Sequence, residues 1–231
     1  MKPFIHDDFM LENESARLLY HTYAEKMPII DYHNHLSPQM IAEDYHFLTI
    51  TELWLGGDHY KWRALRANGV AEEYITGNAP DREKFRAWAR TLPYTMRNPL
   101  YHWTQLELKR YFGIDTLLNE ENADEIYDRC NAMLAQPDFS VRNLLLRMNI
   151  EVLCTTDDPI DSLEYHRQIA ESGFPIKVLP TWRPDKLLNT SDTDAFNTYI
   201  NRLEEVSQVV ITDLESLLSA LKIRQKFFAD H

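Results

Sequence analysis

The chain has 231 residues, 44% hydrophobic and 26% charged, enough to bury a proper core in one domain or two. Acidic residues outnumber basic ones, 36 to 24, and the formal charge of -12 argues against a nucleic-acid or anionic-membrane partner; any anionic substrate must be held by locally placed arginines. No apolar run approaches the ~20 residues a membrane span needs, the first eight residues lack the apolar core of a signal peptide, and Cys130 and Cys154 sit far apart without a disulfide framework, which fits a reducing cytosol.

In chain order, Ala16, Leu19, Tyr20 and Tyr23 fall at helical spacing and predict a short helix, closed off by Pro28. The stretch from Pro28 to Leu36 opens as an apolar run and closes on His33 and His35. Read as a strand, it points Asp31, His33 and His35 the same way. Two imidazoles on one face at a strand end make half of a metal site, since borderline cations accept neutral histidine nitrogen. Two packed or surface histidines would leave the same trace in the sequence.

From there to residue 148 the pattern is helical. Asp58 predicts an N-cap, with His59, Tyr60, Lys61, Trp62 and Arg63 in the helix and Gly69 as its stop. Pro80 and Asp81 start a helix with Phe85, Trp88, Ala89 and Leu92 on one face, and Asn98-Pro99 starts another that Gly113 ends. Asn122 with Glu125 resembles a capping box ahead of an Ile126, Cys130, Met133, Leu134 stripe, and Ser140 caps a helix with Val141, Leu144, Leu145 and Met148 inward. These stripes are read as core packing.

At Ile150 the rhythm changes. Residues 150–156 read as a strand closed by Asp157 and Asp158, and Asp158-Pro159 as the cap and first turn of a helix running to Gly173. Residues 175–180 make the next strand, with Arg183 just past its end. A helix burying Phe196, Tyr199, Ile200, Leu203 and Val206 follows, then a capping box at Thr212 and Glu215 ahead of Leu214, Leu217, Leu218 and Leu221.

Strand, helix, strand, helix predicts a parallel sheet with crossover helices. His33 and His35, Asp157, and Arg183 then lie at or past the carboxyl ends of three successive strands, the edge that carries the chemistry in barrels of this type. Asp157, placed before a capped helix, has a local structural job in this reading. A closed barrel needs eight strands and this chain offers three, so the expected fold is α/β: the front part of a distorted (β/α) TIM-type barrel, one domain over 1–231, with a large helical insertion at about 39–148. A smaller open sheet is the other solution.

Four segments carry a family resemblance: Ile29-Ile30-Asp31-Tyr32-His33-Asn34-His35-Leu36-Ser37-Pro38, the run from Trp54 to Arg63, Cys154-Thr155-Thr156-Asp157-Asp158-Pro159, and Arg183-Pro184-Asp185-Lys186. The first resembles the amidohydrolase superfamily's first-strand motif, and together they resemble uronate isomerases from end to end of the chain. The resemblance implies reversible aldose–ketose isomerisation of D-glucuronate to D-fructuronate and of D-galacturonate to D-tagaturonate. It also implies that this chain matches about the front half of a family member, without the later strands that bear further metal ligands and an essential aspartate and arginine.

Carried onto this sequence, the resemblance assigns His33 and His35 to a divalent metal, zinc being the one expected, Tyr60 to proton transfer and His59 to hydrogen bonding or orientation. Arg183 becomes the expected clamp for the substrate carboxylate, because guanidinium meets carboxylate bidentately. Asp185, two residues on, offers Arg183 a local ion pair instead. Arg63, one turn after His59, is a second substrate-binding candidate. The expected partner is a small hexuronate in the cytoplasm, with a homo-oligomer or a separate carboxyl-terminal half left open. A metal-dependent hydrolase fits the histidine pair equally well, but the segments around His59 and Arg183 argue against it. A non-catalytic half-barrel is the remaining alternative; a structural zinc domain lacks the clustered cysteines it needs.

Overall fold

The computed structural model describes residues 2–230. In chain order its α-helices and strands are α1 (Glu14–Leu19), β1 (Ile29–Asp31), α2 (Pro38–Ala42), α3 (Ile50–Leu55), α4 (His59–Ala67), α5 (Asp81–Thr91), α6 (Pro99–Phe112), α7 (Ala123–Leu134), α8 (Val141–Arg147), β2 (Ile150–Cys154), α9 (Glu164–Glu171), β3 (Lys177–Leu179), α10 (Thr193–Ser207) and α11 (Leu214–Ala229). The chain divides into two compact units, one formed by residues 1–27 and 46–143, the other by 28–45 and 144–231.

The first unit is helical. Its centre is α5, whose Phe85, Ala87, Trp88 and Ala89 are all buried. Trp54 of α3 stacks on Phe85 at 6.0 Å, and Tyr127 of α7 meets the same ring at 5.4 Å. The predicted starts of α4 and α6 and the predicted stop of α6 hold because their chemistry is local. Asp58 caps α4, the Asn98 side chain accepts from the Leu100 N–H ahead of α6, and Gly113 takes the left-handed conformation (φ 60°) that ends it. Asn122 caps nothing: its side chain instead accepts from the Asn119 amide and donates to the Leu117 carbonyl. Helix α1 forms as expected, runs on into a π turn over Tyr20–Ala24, and buries none of its residues.

The second unit holds a parallel three-stranded sheet in the order β1-β2-β3. Leu153 at its centre is fully buried, whereas Ile30 on the marginal strand β1 is 63% exposed. All three strands are shorter than the apolar runs suggest. Helix α9 covers β3, and α10 pairs with α11 around Ile160, Tyr199, Leu203 and Ala220. The capping box of α11 is Asp213 with Ser216, one residue later than the sequence suggested.

One element starts later than expected. Asp158-Pro159 does not begin a helix: the Asp158 carboxylate accepts from the Ile160 amide, while the Asp161 carboxylate accepts from the Asp158 amide. These side chains close a turn in competition with the helix, and α9 starts only at Glu164, after Leu163 at φ 55°. Among the described residues no helix is long and apolar enough to cross a membrane.

Candidate functional site

In the second unit, β1 ends at Asp31, so His33 and His35 lie past the strand rather than on it. Strand alternation therefore does not bring them together; a pinned loop does. The Asn34 amide N–H donates to the Cys154 carbonyl of β2 at 2.8 Å. Its side chain donates to Asp31 at 2.5 Å and accepts from the Leu36 amide at 2.7 Å. With Asn34 fastened on both sides, the flanking histidines reach solvent and converge. Their Nε2 atoms stand 3.1 Å apart and the rings are near perpendicular, at 86°.

This donor pair fits a divalent cation in type and spacing. Two nitrogens each about 2.0–2.1 Å from one tetrahedral zinc lie roughly 3.3 Å apart. A cation bound there needs both rings protonated at Nδ1, and His35 Nδ1 lies 3.4 Å from the Thr156 hydroxyl, an oxygen able to accept that proton. Thr156 was missed in the sequence; its position beside Asp157 in the third resemblance segment was the available signal. No group of three or more His, Cys, Asp or Glu that could hold a metal occurs among the described residues, so the pair supplies two ligands and no more.

Past β2 the chain makes one further parallel bridge, between Asp157 and Trp182. Asp157 is 4% exposed, and its carboxylate accepts from the Thr181 amide rather than capping a helix. The Arg183 amide donates to the Asp157 carbonyl at 3.0 Å. The Arg183 guanidinium, partly exposed, donates to Asp185 at 2.5 Å through Nη2, the local ion pair that the sequence offered. His35 and Arg183 thus belong to the same carboxyl edge of the sheet, the first beside Thr156 and the second bonded to Asp157. A cavity of about 300 Å³ lies beside Thr156 and Asp157, between Ser37–Gln39 at the start of α2 and the Asp161–His166 stretch leading into α9; neither histidine of the pair nor Arg183 lines it.

In the first unit, His59 and Tyr60 open α4, both exposed, with ring centroids 4.3 Å apart. Arg63 stands over the Tyr60 ring at 5.8 Å, so these three side chains form one exposed group. The turn beneath them is firmly built. Asp58 accepts from the Tyr60 and Lys61 amides at 2.9 and 3.1 Å and from Lys61 Nζ at 2.7 Å. Burial pushes the Asp58 carboxyl up, but the Lys61 ammonium and these hydrogen bonds outweigh it and hold the group below its ordinary range. Burial also raises the nearby Glu107 carboxyl, with Lys61 opposing. Lys61, 7% exposed, was not singled out in the sequence.

The family model for UxaC, described as glucuronate isomerase, matches residues 1–231. A uronate isomerase of Bacteroides thetaiotaomicron is 58% identical over 231 residues, covering 100% of this chain and 49% of that protein. One from Edwardsiella ictaluri is 55% identical, covering 100% and 50%. Among solved structures, a uronate isomerase of Thermotoga maritima superposes with a TM-score of 0.91 at 36% identity, covering 100% of this chain and 50% of that one. A glucuronate isomerase of Caulobacter crescentus gives 0.89 at 30% identity, covering 99% and 50%. The chain spans about half the length of the relatives it matches.

Proposed function

The chain belongs to the UxaC glucuronate isomerase family, and from that premise we propose that it serves the reversible isomerisation of hexuronates, D-glucuronate to D-fructuronate and D-galacturonate to D-tagaturonate. In this reading the three-stranded sheet is the front part of an amidohydrolase-type (β/α) barrel, and the protein is cytoplasmic. The observation that carries the proposal is the convergence of His33 and His35 on the same sheet edge that presents Arg183.

The reaction moves a proton between C1 and C2 while a carbonyl and a hydroxyl exchange places. The substrate's own carboxylate takes no part in the chemistry, so it is the natural handle for binding. Arg183 would hold it: with Nη2 on Asp185, the remaining guanidinium N–H groups are left for a carboxylate. In the helical unit, Arg63, exposed above Tyr60, is the second substrate-binding candidate. There the family assignment gives Tyr60 the proton transfer and His59 a hydrogen bond to a substrate oxygen. His33 and His35 would hold a divalent cation, zinc by preference, which when bound polarises substrate oxygens.

Conversion of D-glucuronate to its ketouronate tests this, measured on the chain alone and with a polypeptide corresponding to the second half of the Bacteroides thetaiotaomicron relative. Ketouronate formation in either arm, lost in Arg183→Ala and His33→Ala, is the expected result. Turnover of lactones or amides with no ketouronate would replace the isomerase reading with a hydrolase one.

A further inference from the structure

We propose that Asp157 is a positioning residue for Arg183: a buried carboxylate that fixes the segment presenting the guanidinium. The proposal rests on the reading of Arg183 as the carboxylate clamp. Strand β3 ends at Leu179, and Arg183 lies four residues beyond it, where the sheet continues as the isolated bridge between Asp157 and Trp182. Asp157 supplies both main-chain bonds of that bridge and a side-chain bond besides. Its Oδ2 accepts from the Thr181 amide at 3.0 Å, its own amide donates to the Thr181 carbonyl at 3.0 Å, and its carbonyl accepts from the Arg183 amide at 3.0 Å. Side chain and main chain of one residue thus grip both ends of Thr181–Arg183.

The carboxylate is itself aimed. Thr155 and His166, 0% and 5% exposed, stand behind it. The Thr155 hydroxyl has one proton and two acceptors in reach, Asp157 Oδ2 at 2.7 Å and the Leu179 carbonyl at 3.2 Å. The shorter contact takes the proton. His166 Nε2 lies 2.8 Å from the same Thr155 Oγ1 and backs it. Asp157 Oδ2 thus accepts from the Thr155 hydroxyl and from the Thr181 amide. A buried group engaged by two donors has one orientation, and it passes that orientation to the segment it holds. Asp158 adds a second tie, its carboxylate lying 3.2 Å from Lys186 Nζ. Two of the four segments that carry the family resemblance are therefore fastened to each other through adjacent aspartates. That is a physical reason for an Asp-Asp pair where no helix begins.

The experiment has two arms. Amide exchange on the whole chain compares wild type with Asp157→Ala. The Arg183 amide, bonded to the main chain of residue 157, is expected to exchange about tenfold faster or more, while that of Leu153 changes by less than about twofold. Unchanged exchange at Arg183 overturns the proposal. Should Asp157→Ala fail to fold, Thr155→Val removes the hydroxyl that aims the carboxylate and is expected to speed Arg183 exchange in the same direction.

The second arm uses the assembled enzyme. Asp157→Ala is expected to raise KM for D-glucuronate about tenfold with kcat within about threefold, the mark of lost binding rather than lost chemistry. In an Arg183→Ala background the same change should add less than about twofold, because the partner it acts through is gone. Asp157→Asn keeps an oxygen for the Thr181 amide and should restore KM to within about threefold of wild type. Additive losses in the double variant overturn the proposal. If wild type converts no hexuronate, the functional reading falls and the exchange arm alone decides whether Asp157 positions Arg183.

Discussion

Lys61 Nζ donates to Asp58 Oδ2 at 2.7 Å, and this pair closes the first turn of α4, which also carries the exposed His59 and Tyr60. Asp58 satisfies two of the amides that open α4 and, at the same time, the charge of a side chain that is only 9% exposed. Asp58→Ala should cost about 1–2 kcal/mol of stability by urea denaturation, the worth of a strong N-cap plus a partly enclosed ion pair. The pH dependence follows from the direction of its shift. The folded group titrates below its ordinary 3.8, so its contribution is complete above that value and is lost as pH falls through the lower, folded pKa. Asp58→Asn should therefore flatten the wild-type decline below pH 3.8; an unaltered acid limb would show that Asp58 is not its source.

The histidine pair makes a prediction about metal. Each ring gives one Nε2 to the same point, so neither can be lost without halving the donor set. His33→Ala and His35→Ala should each weaken zinc binding by about tenfold or more, and Thr156→Ala by a smaller factor, through loss of the contact at His35 Nδ1. Competition against a chromogenic chelator measures all three. Equal affinity for wild type and both histidine variants would remove the pair from any metal site.

Cys130 is fully buried on α7, and burial pushes its thiol up to about 12. At pH 8 the native chain should leave Cys130 unmodified by iodoacetamide, read by peptide mass, and modification should appear on adding urea. Labelling of Cys130 in the native protein at a rate matching the urea sample would show that α7 opens readily.

What could be read from the sequence divides along a physical line. Interactions between near neighbours were legible: the Asp58 cap, Gly113 as a stop, the Phe85 and Trp88 face and the parallel strand order each depend on residues close together or on a repeating period. The pairing of His33 with His35 was legible too, though for a different reason, since the strand ends before either residue and Asn34 does the positioning. What could not be read are bonds between distant segments. Asp157 was given a job local to the helix after it because nothing nearby in sequence reveals its bond to Thr181, 24 residues on. Lys61 was not singled out because its burial depends on how α4 packs.

Arg224 shows the same blindness and gives the last prediction. On sequence it is one more charged residue on α11, yet it is 7% exposed. Its Nε donates to the Pro159 carbonyl and its Nη2 to the Asp161 carbonyl, both at 2.8 Å, and its guanidinium lies 4.1 Å from the Phe227 ring centroid. Burial lowers its pKa, with Asp161 opposing, so charge is held here against desolvation by two carbonyls and a ring face. These bonds tie α11 to the Asp158–Asp161 turn that precedes α9. Arg224→Ala should cost about 2–4 kcal/mol in urea denaturation, because it removes a charged donor from two carbonyls and leaves a gap. Arg224→Lys should recover less than half of that, since one ammonium cannot reproduce a planar fork. Arg224→Met separates packing from hydrogen bonding: if it matches wild type, the guanidinium bonds contribute nothing net and the side chain stabilises α11 by bulk alone.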